Sequence, residues 1–405
     1  MSDFFQNGYV TTLHNLGTRS LEELEDELRR FSRTMPMGLI LPSLFSELER
    51  PALSLIVEEL KKVDYLEQIV IGIDQADKEQ YKHALEFFSV LPQKVYVLWN
   101  DGPRLREIDK LLSDQGLAPT EPGKGRNVWY CMGFMLAKQN TEAVALHDCD
   151  IKTYHRSLLA RLFYPVANPA FSYSYCKGYY PRLTNTMGGR VARLLVTPLV
   201  RALNHQHGPH RYLNYLDSFR YPLAGEFSMR YDLMYNLHMP TDWGLEVGLL
   251  LEMRKSYATS SICQVDIADN YDHKHQDLSA EDRSRGLSRM SVEITKAIFK
   301  KMSTDGIEFT EEGLRTTKAT YFRIALDLIE SYRTDCEFNG LDYDTHAEEL
   351  MVELFADNIK LAGQEFLADK DEAPFIPNWR RVESAFPEIF PSLLEAVKQD
   401  MLECE

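Results

Sequence analysis

Several short stretches of this 405-residue chain carry residue types that could do chemistry. "VALHDCDI" ends an apolar run in a histidine and two aspartates, Asp148 and Asp150. In an extended segment residues i and i+2 share a face, so these carboxylates repel unless a divalent cation lies between them. Hard cations such as Mg²⁺ are held by one or two carboxylates plus substrate phosphates. "EPGKGRN" places Gly123 and Gly125 around Lys124, just before a predicted helix. That arrangement offers close backbone approach, exposed N–H groups and a cation to an anion such as a phosphate. It lacks the spacing of a P-loop. "NYDHKHQ" supplies His273 and His275 after an apolar strand, and a mixed Asp/His set suits Mn²⁺ as well as Mg²⁺. "MGGRVARLL" puts Gly188 and Gly189 ahead of Arg190, a second cradle able to grip phosphate or carboxylate. Glu246 is the only charge in "WGLEVGLL", so it needs a partner: sugar hydroxyls or a structural arginine.

Each stretch alone has a plainer reading: a solvated turn, a glycine turn, surface histidines, close-packing glycines, a structural ion pair. Their order along one chain describes a site for a nucleotide diphosphate, a divalent metal and a second anionic substrate.

The elements that would position them are legible. "SLEELEDELRRF" opens on Ser20 with Glu23 three residues on, a capping box for a surface helix. From Met37, apolar runs ("MGLILP", "QIVIGID", "KVYVLWND", "VALHDCD") alternate with helical patterns ("PALSLIVEELKKV", "KEQYKHALEFFSVL", "RNVWYCMGFMLAKQ"). This predicts parallel strands covered on both faces, with ligands at their carboxyl ends. "FSYSYCKGYYPRL" and "SICQVDIAD" add strands, and "GGRVARLLVTPLVRAL" and "TDWGLEVGLLLEM" add helices. Beyond about residue 278 every pattern is helical. The expected division is a helical segment 1–36, a nucleotide-binding domain 37–235, a region 236–300 that completes the site and a helical extension 301–405.

Composition narrows the function classes. A net charge of −16 argues against a nucleic-acid binder, and makes any anionic substrate depend on local cations. The six cysteines are scattered with no CxxC pair, so they read as reduced thiols. No stretch approaches the roughly 18 apolar residues of a membrane span, and "MSDFFQNGYV" lacks a signal-peptide pattern. A cytoplasmic protein with no membrane partner is expected. Helical segments at both ends favour a homodimer.

With these residues in place, "ILPSLFSELERPAL", "IVIGID", "GKG", "DCD", "GGRV", "PLAGEF", "WGLEVGLL" and "QVDIADNYDHKHQDL" resemble the glucosyl-3-phosphoglycerate synthases. Those are retaining glycosyltransferases of the GT-A fold, a Rossmann-like α/β/α sandwich with a mixed sheet, here with a helical C-terminal extension. The resemblance runs from about Gly38 to about Leu287, and the helical tail is similar to longer, archaeal-type members. It implies transfer of glucose from a nucleoside-diphosphate glucose, usually UDP-glucose, to 3-phosphoglycerate. The product is the precursor of the compatible solute glucosylglycerate. It further implies that Pro42, Ser43, Leu44 and Glu47 hold the uridine, with Asp74 nearby. Lys124 would lie near uracil and diphosphate, Asp148 near ribose and metal, and Glu246 at the glucose hydroxyls. Asp150 and His273 would complete the site for Mg²⁺ or Mn²⁺, and Gly189, Arg190, Val191 and His275 would receive the acceptor. The catalytic set is then Asp150, Lys124 and Glu246. The chain departs from some relatives at His275, where they have Asn, and at Ala192, where they have Thr, so Lys177, Arg193 or Tyr271 would compensate.

No carboxylate in these motifs is an obvious nucleophile, which favours front-face substitution over double displacement. The runner-up activities are mannosyl-3-phosphoglycerate or mannosyl/glucosylglycerate synthesis. A sugar-nucleotide pyrophosphorylase would need a Gly-rich stretch after the first strand, and "LPSLFSELERPAL" lacks it. A non-catalytic scaffold fits poorly with so many chemical motifs in one chain.

Overall fold

The apolar runs become the strands of one sheet. The computed structural model describes residues 4, 6, 8–119, 122–240, 243–273, 286–368 and 377–404. Its strands are β1 (Thr11–Leu13), β2 (Met37–Leu44), β3 (Leu66–Asp74), β4 (Lys94–Trp99), β5 (Ala143–Leu146), β6 (Tyr175–Tyr179), β7 (Phe227–Arg230) and β8 (Ile262–Asp266). They pair in the order β1-β8-β6-β7-β5-β2-β3-β4. Among these strands β7 alone runs antiparallel to its neighbours, β5 and β6; the other pairings are parallel. The mixed α/β sheet expected from the sequence is therefore present.

Alternation along β2 shows why both faces are covered. Ile40 belongs to one apolar core, while Leu39 and Leu41 belong to the core on the opposite face. β5 pairs with β2 only as far as Ile40, so Pro42, Ser43 and Leu44 are flanked by β3 alone. Proline, which has no N–H to donate, is tolerated at such a one-sided position. The carboxyl end of β2 thus opens beside the end of β5, where "HDCD" follows.

The Ser20 capping box is formed: Glu23 N–H donates to Ser20 Oγ at 3.2 Å, and Ser20 N–H to Glu23 Oε2 at 2.8 Å. Residues 1–36 are not purely helical, however. Besides the helix Leu21–Phe31, strand β1 adds an edge to the sheet against β8. Three residues are too few to show a period. β8, within 236–300, likewise belongs to the common sheet.

The stretch read as one helix from "GGRV" is a π-helical turn, Val191–Val196, running into the helix Thr197–His207. Pro198 cannot donate to Leu194 O four residues back, and that carbonyl accepts a 2.6 Å hydrogen bond from the Tyr321 hydroxyl. Tyr321 comes from the C-terminal helices, Gly286–Thr304, Glu311–Asn339 and Thr345–Ala368. The last long helix, Ile389–Cys404, returns to pack on the helix Lys124–Lys138. Among the described residues no helix is long and apolar enough to cross a membrane.

Candidate active site

Gly123 precedes the helix Lys124–Lys138 with φ of 152°, a conformation that side-chain-bearing residues rarely adopt. It turns the chain so that Lys124 projects from the first turn of the helix. The Lys124 ammonium lies 2.6 Å from Asp148 Oδ1 and 3.0 Å from Glu246 Oε1. Three motifs separated by up to 122 residues therefore meet at one cation. Gly225, from "PLAGEF", makes room for them: a Cβ there would sit 2.3 Å from Asp148 Oδ2 and 3.0 Å from the Lys124 nitrogen.

The charges shape one another. Burial works to lower the Lys124 pKa, but Asp148 and then Glu246 outweigh it and hold it above its ordinary value. Burial likewise works to raise Asp148, and the charge and hydrogen bond of Lys124 bring it below the usual carboxylate range. Among the described residues no lysine or arginine pairs with Asp150 in this way. Burial, and then the charge of Asp148, push its carboxyl up to about 7. His273 Nδ1 lies 3.8 Å from Asp150 Oδ2, brought there by an isolated antiparallel bridge between Ile151 and His273. Asp148 and Asp150 thus form the crowded pair expected from their spacing, with His273 beside them.

Among the described residues no group of three or more His, Cys, Asp or Glu side chains is arranged to hold a metal ion. A divalent cation would fit here as Mg²⁺ or Mn²⁺ usually does, on one or two carboxylates plus phosphate oxygens. The donor set favours it: the Asp148 and Asp150 carboxylates stand two residues apart with His273 Nδ1 3.8 Å from Asp150 Oδ2, and a cation would relieve the crowding of the two carboxylates.

At the carboxyl end of β3, Asp74 accepts hydrogen bonds from Asn100 Nδ2 at 2.9 Å and Asn127 Nδ2 at 3.0 Å; burial raises its pKa. Pro42, Ser43 and Leu44 line the end of β2, and Glu47 follows on the short helix Phe45–Leu48 with Arg50 3.6 Å away. The residues expected to hold the donor nucleoside thus gather at the ends of adjacent strands.

The residues expected to receive the acceptor are arranged otherwise. Gly189 has φ of 72°, and a Cβ there would lie 3.3 Å from the Tyr221 ring. Arg190 Nε donates to Glu348 Oε1 at 2.8 Å, and Arg193 Nη2 lies 3.1 Å from Glu348 Oε2. The guanidinium of Arg190 thus faces the helix Thr345–Ala368 and a cavity of about 270 Å³ lined also by Thr186, Asp342 and Tyr343; Val191 is buried and does not line that cavity. The link between this loop and the Lys124 cluster is aromatic. The Tyr221 ring lies 5.1 Å from Tyr180, which stacks on Tyr271 at 3.7 Å. His275 lies outside the described residues.

Motif reading passed over Glu226. It is fully buried, and both oxygens are taken by tyrosine hydroxyls, Tyr180 at 2.8 Å and Tyr271. Burial, followed by the charge of Asp148, raises its pKa. Its place in "PLAGEF", beside the tightly packed Gly225, was the available signal. His147 is also buried, with neither ring nitrogen hydrogen-bonded among the described residues, and burial lowers it to about 3. It packs edge-on against Tyr154 as a neutral ring.

No protein-family model matches the chain. Full-length relatives do. It is 44% identical over 400 residues to the glucosyl-3-phosphoglycerate synthase of Persephonella marina, covering 99% of each chain. It is 39% identical over 410 residues to that of Methanococcoides burtonii, covering all of this chain and 99% of the relative. Among solved structures it resembles the Mycobacterium tuberculosis glucosyl-3-phosphoglycerate synthase in complex with Mn²⁺, UDP-glucose and phosphoglyceric acid. There the TM-score is 0.54 at 20% identity, over 73% of this chain and 88% of that one. That likeness establishes the fold: a GT-A sandwich carrying a helical C-terminal extension. With its identity to full-length relatives spanning nearly every residue, the chain belongs to the glucosyl-3-phosphoglycerate synthase family.

Proposed function

We propose that the chain transfers glucose, with retention of configuration, from UDP-glucose to 3-phosphoglycerate, giving glucosyl-3-phosphoglycerate. The observation that carries this reading is the meeting of Lys124, Asp148 and Glu246 at the carboxyl ends of the strands, with Asp150 alongside, in a member of this family.

In this reading Pro42, Ser43, Leu44, Glu47 and Asp74 receive the nucleoside. Asp148 serves ribose and metal, and Glu246 accepts hydrogen bonds from glucose hydroxyls. Lys124 turns to the diphosphate, where it offsets the charge that grows on the leaving group. Asp150, His273 and Asp148 would hold Mg²⁺ or Mn²⁺, which would supply Lewis-acid neutralisation of the same leaving group. Gly189, Arg190 and Val191, with His275, receive the acceptor.

Retention then follows from same-face attack. The bond from the anomeric carbon to the acceptor oxygen forms as the bond to the diphosphate breaks, and the acceptor's hydroxyl proton passes to the departing phosphate oxygen. This is favoured over a covalent intermediate because Glu226 is clamped by two tyrosine hydroxyls and Glu246 is assigned to the glucose hydroxyls. We further infer a cytoplasmic homodimer, with the exposed Phe338 on a C-terminal helix as an available apolar contact; light scattering on the purified protein tests the assembly.

The test of function is a donor–acceptor matrix: UDP-glucose, ADP-glucose and GDP-mannose against 3-phosphoglycerate and glycerate, with products read by NMR. α-Glucosyl-3-phosphoglycerate from UDP-glucose is expected, lost in EDTA and in Asp150→Asn. Preference for GDP-mannose, or for glycerate, would replace the reading with a runner-up.

A further inference from the structure

Glu226 is a buried acid that the transfer just described does not use. It is fully shielded from solvent and immediately precedes β7. Its carbonyl accepts the Gly178 N–H of β6 at 2.9 Å, so its backbone is held by the sheet. A buried carboxylate is costly unless its oxygens are hydrogen-bonded. Each oxygen of Glu226 takes one tyrosine hydroxyl: Oε2 that of Tyr180 at 2.8 Å, Oε1 that of Tyr271. Both tyrosines lie beyond the strands, Tyr180 just after β6 and Tyr271 after β8. Their rings stack with centroids 3.7 Å apart and planes 6° from parallel. An apolar side chain would pack under those rings without the cost of burying a carboxylate. The acid adds direction, because hydrogen bonds fix where each hydroxyl points.

What the clamp directs is the segment that carries His273. The Tyr271 N–H donates to Pro181 O at 3.0 Å, and Asp272 O accepts the Lys152 N–H at 2.8 Å. The His273 ring stands edge-on to the Tyr271 ring, 5.7 Å between centroids. His273 then bridges to Ile151, with its Nδ1 3.8 Å from Asp150 Oδ2. β8 ends at Asp266, so this segment has left the sheet before it reaches Asp150. Glu226 reaches out from the sheet to meet it. The preceding residue, Gly225, packs against Asp148. Gly225 and Glu226 together therefore touch both sides of the carboxylate pair: Asp148 directly, and the approach to Asp150 through Tyr271.

We propose that Glu226 is a positioning residue for the divalent metal: through the Tyr271 hydroxyl it fixes the segment that presents His273 to Asp150. This rests on the assignment of Asp150 and His273 to the metal. It departs from the expectation that Tyr271 compensates at the acceptor loop.

The experiment titrates Mn²⁺ into the full-length chain with UDP present and reads free Mn²⁺ by electron paramagnetic resonance. Tyr271→Phe removes one hydroxyl and keeps the ring stack. Tyr180→Phe removes the other hydroxyl from the same carboxylate and is the control, since Tyr180 is not on the His273 segment. Tyr271→Phe is expected to raise the Kd for Mn²⁺ roughly tenfold or more, the scale of a lost outer-shell partner of a metal ligand. Tyr180→Phe should stay within about twofold, although both variants lose one buried hydrogen bond and should melt at similarly lowered temperatures. In a His273→Ala background, adding Tyr271→Phe should change the Kd by less than about twofold, because the group it acts through is gone. Glu226→Leu should weaken Mn²⁺ binding at least as much as Tyr271→Phe, and Glu226→Gln, which keeps one acceptor oxygen, should recover part of the loss. Where Glu226→Leu does not fold, the two tyrosine variants decide. Equal weakening by Tyr271→Phe and Tyr180→Phe, wild-type affinity in Tyr271→Phe, or an undiminished effect in the His273→Ala background would each overturn the proposal. The titration needs no acceptor, so turnover of UDP-glucose and 3-phosphoglycerate by wild type, measured in parallel, reports separately on the functional reading.

Discussion

Arg190 shows what single residues can and cannot disclose. Its place after two glycines marks an anion cradle, but its observed partner, Glu348, lies 158 residues further on. No motif spacing announces such a pair. The buried Glu348 also lies against Arg193, whose guanidinium donates to Gly188 O at 2.8 Å and Met187 O at 3.0 Å. The "GGR" loop is thus tied from both sides, and Arg190 is held at the cavity it shares with Thr186 and Tyr343. Replacing Arg190 with Ala should raise the acceptor KM by about one to two orders of magnitude, the worth of a charged hydrogen bond to phosphate. The KM for UDP-glucose should move little, and initial-rate kinetics with each substrate varied will show it. An unchanged acceptor KM would remove Arg190 from the acceptor site. Lys124, Asp148, Asp150, Glu246 and His273 were visible in sequence because each is a chemical residue type in an unusual apolar or glycine setting. Glu226 was passed over, and the burial of Lys177, named only as a substitute at the acceptor loop, was not foreseen, for the opposite reason. A charged residue beside a strand normally faces water, and only the packing of β6 and β7 shows these two to be buried.

At the scale of elements, the helix Lys124–Lys138 connects the site to the rest of the molecule. Its first residue reaches Asp148 and Glu246, and its middle is buried on every side. Trp129 stacks on Trp379 with centroids 4.0 Å apart and an interplanar angle of 20°. The indole N–H of Trp379 donates to Trp129 O at 3.0 Å, and that of Trp129 to Pro377 O at 3.1 Å. Gly133 permits the contact, since a Cβ there would lie 2.0 Å from the Trp379 ring. Trp379→Ala should cost about 3–5 kcal/mol in urea denaturation. Gly133→Ala should destabilise wild type through the clash. In the Trp379→Ala background the same change should stabilise by up to about 1 kcal/mol, the ordinary helix preference for alanine. Loss of stability in both backgrounds would show that Trp379 is not what Gly133 accommodates. The long parallel strands were readable because burial on both faces makes them continuous apolar runs. The three-residue β1 and the π-turn Val191–Val196 were not, since neither leaves a period in the sequence.

For the whole molecule the question is whether the helical extension is a separate unit or part of the enzyme's core. A chain of this length commonly divides into domains that unfold separately. Here one apolar cluster contains Ile40 and Val70 from the sheet, Trp129 and Leu194 from beside the site, and Ile298, Phe355, Trp379 and Leu393 from the C-terminal helices. Polar ties cross the same boundary. Tyr321 bonds the carbonyl that Pro198 leaves open, Glu348 holds Arg190 and Arg193, and Arg104 pairs with Asp400 and Glu403. Removing the extension would expose the far side of the helix that presents Lys124. The extension and the GT-A sheet should therefore unfold together. Calorimetry is expected to give one transition, coincident with loss of far-ultraviolet circular dichroism and of the fluorescence of the stacked Trp129 and Trp379. A first transition that releases the tryptophan pair while the sheet survives would show the extension to be an independent domain. Arg190, held by that extension through Glu348, would then be positioned by something other than a single shared core.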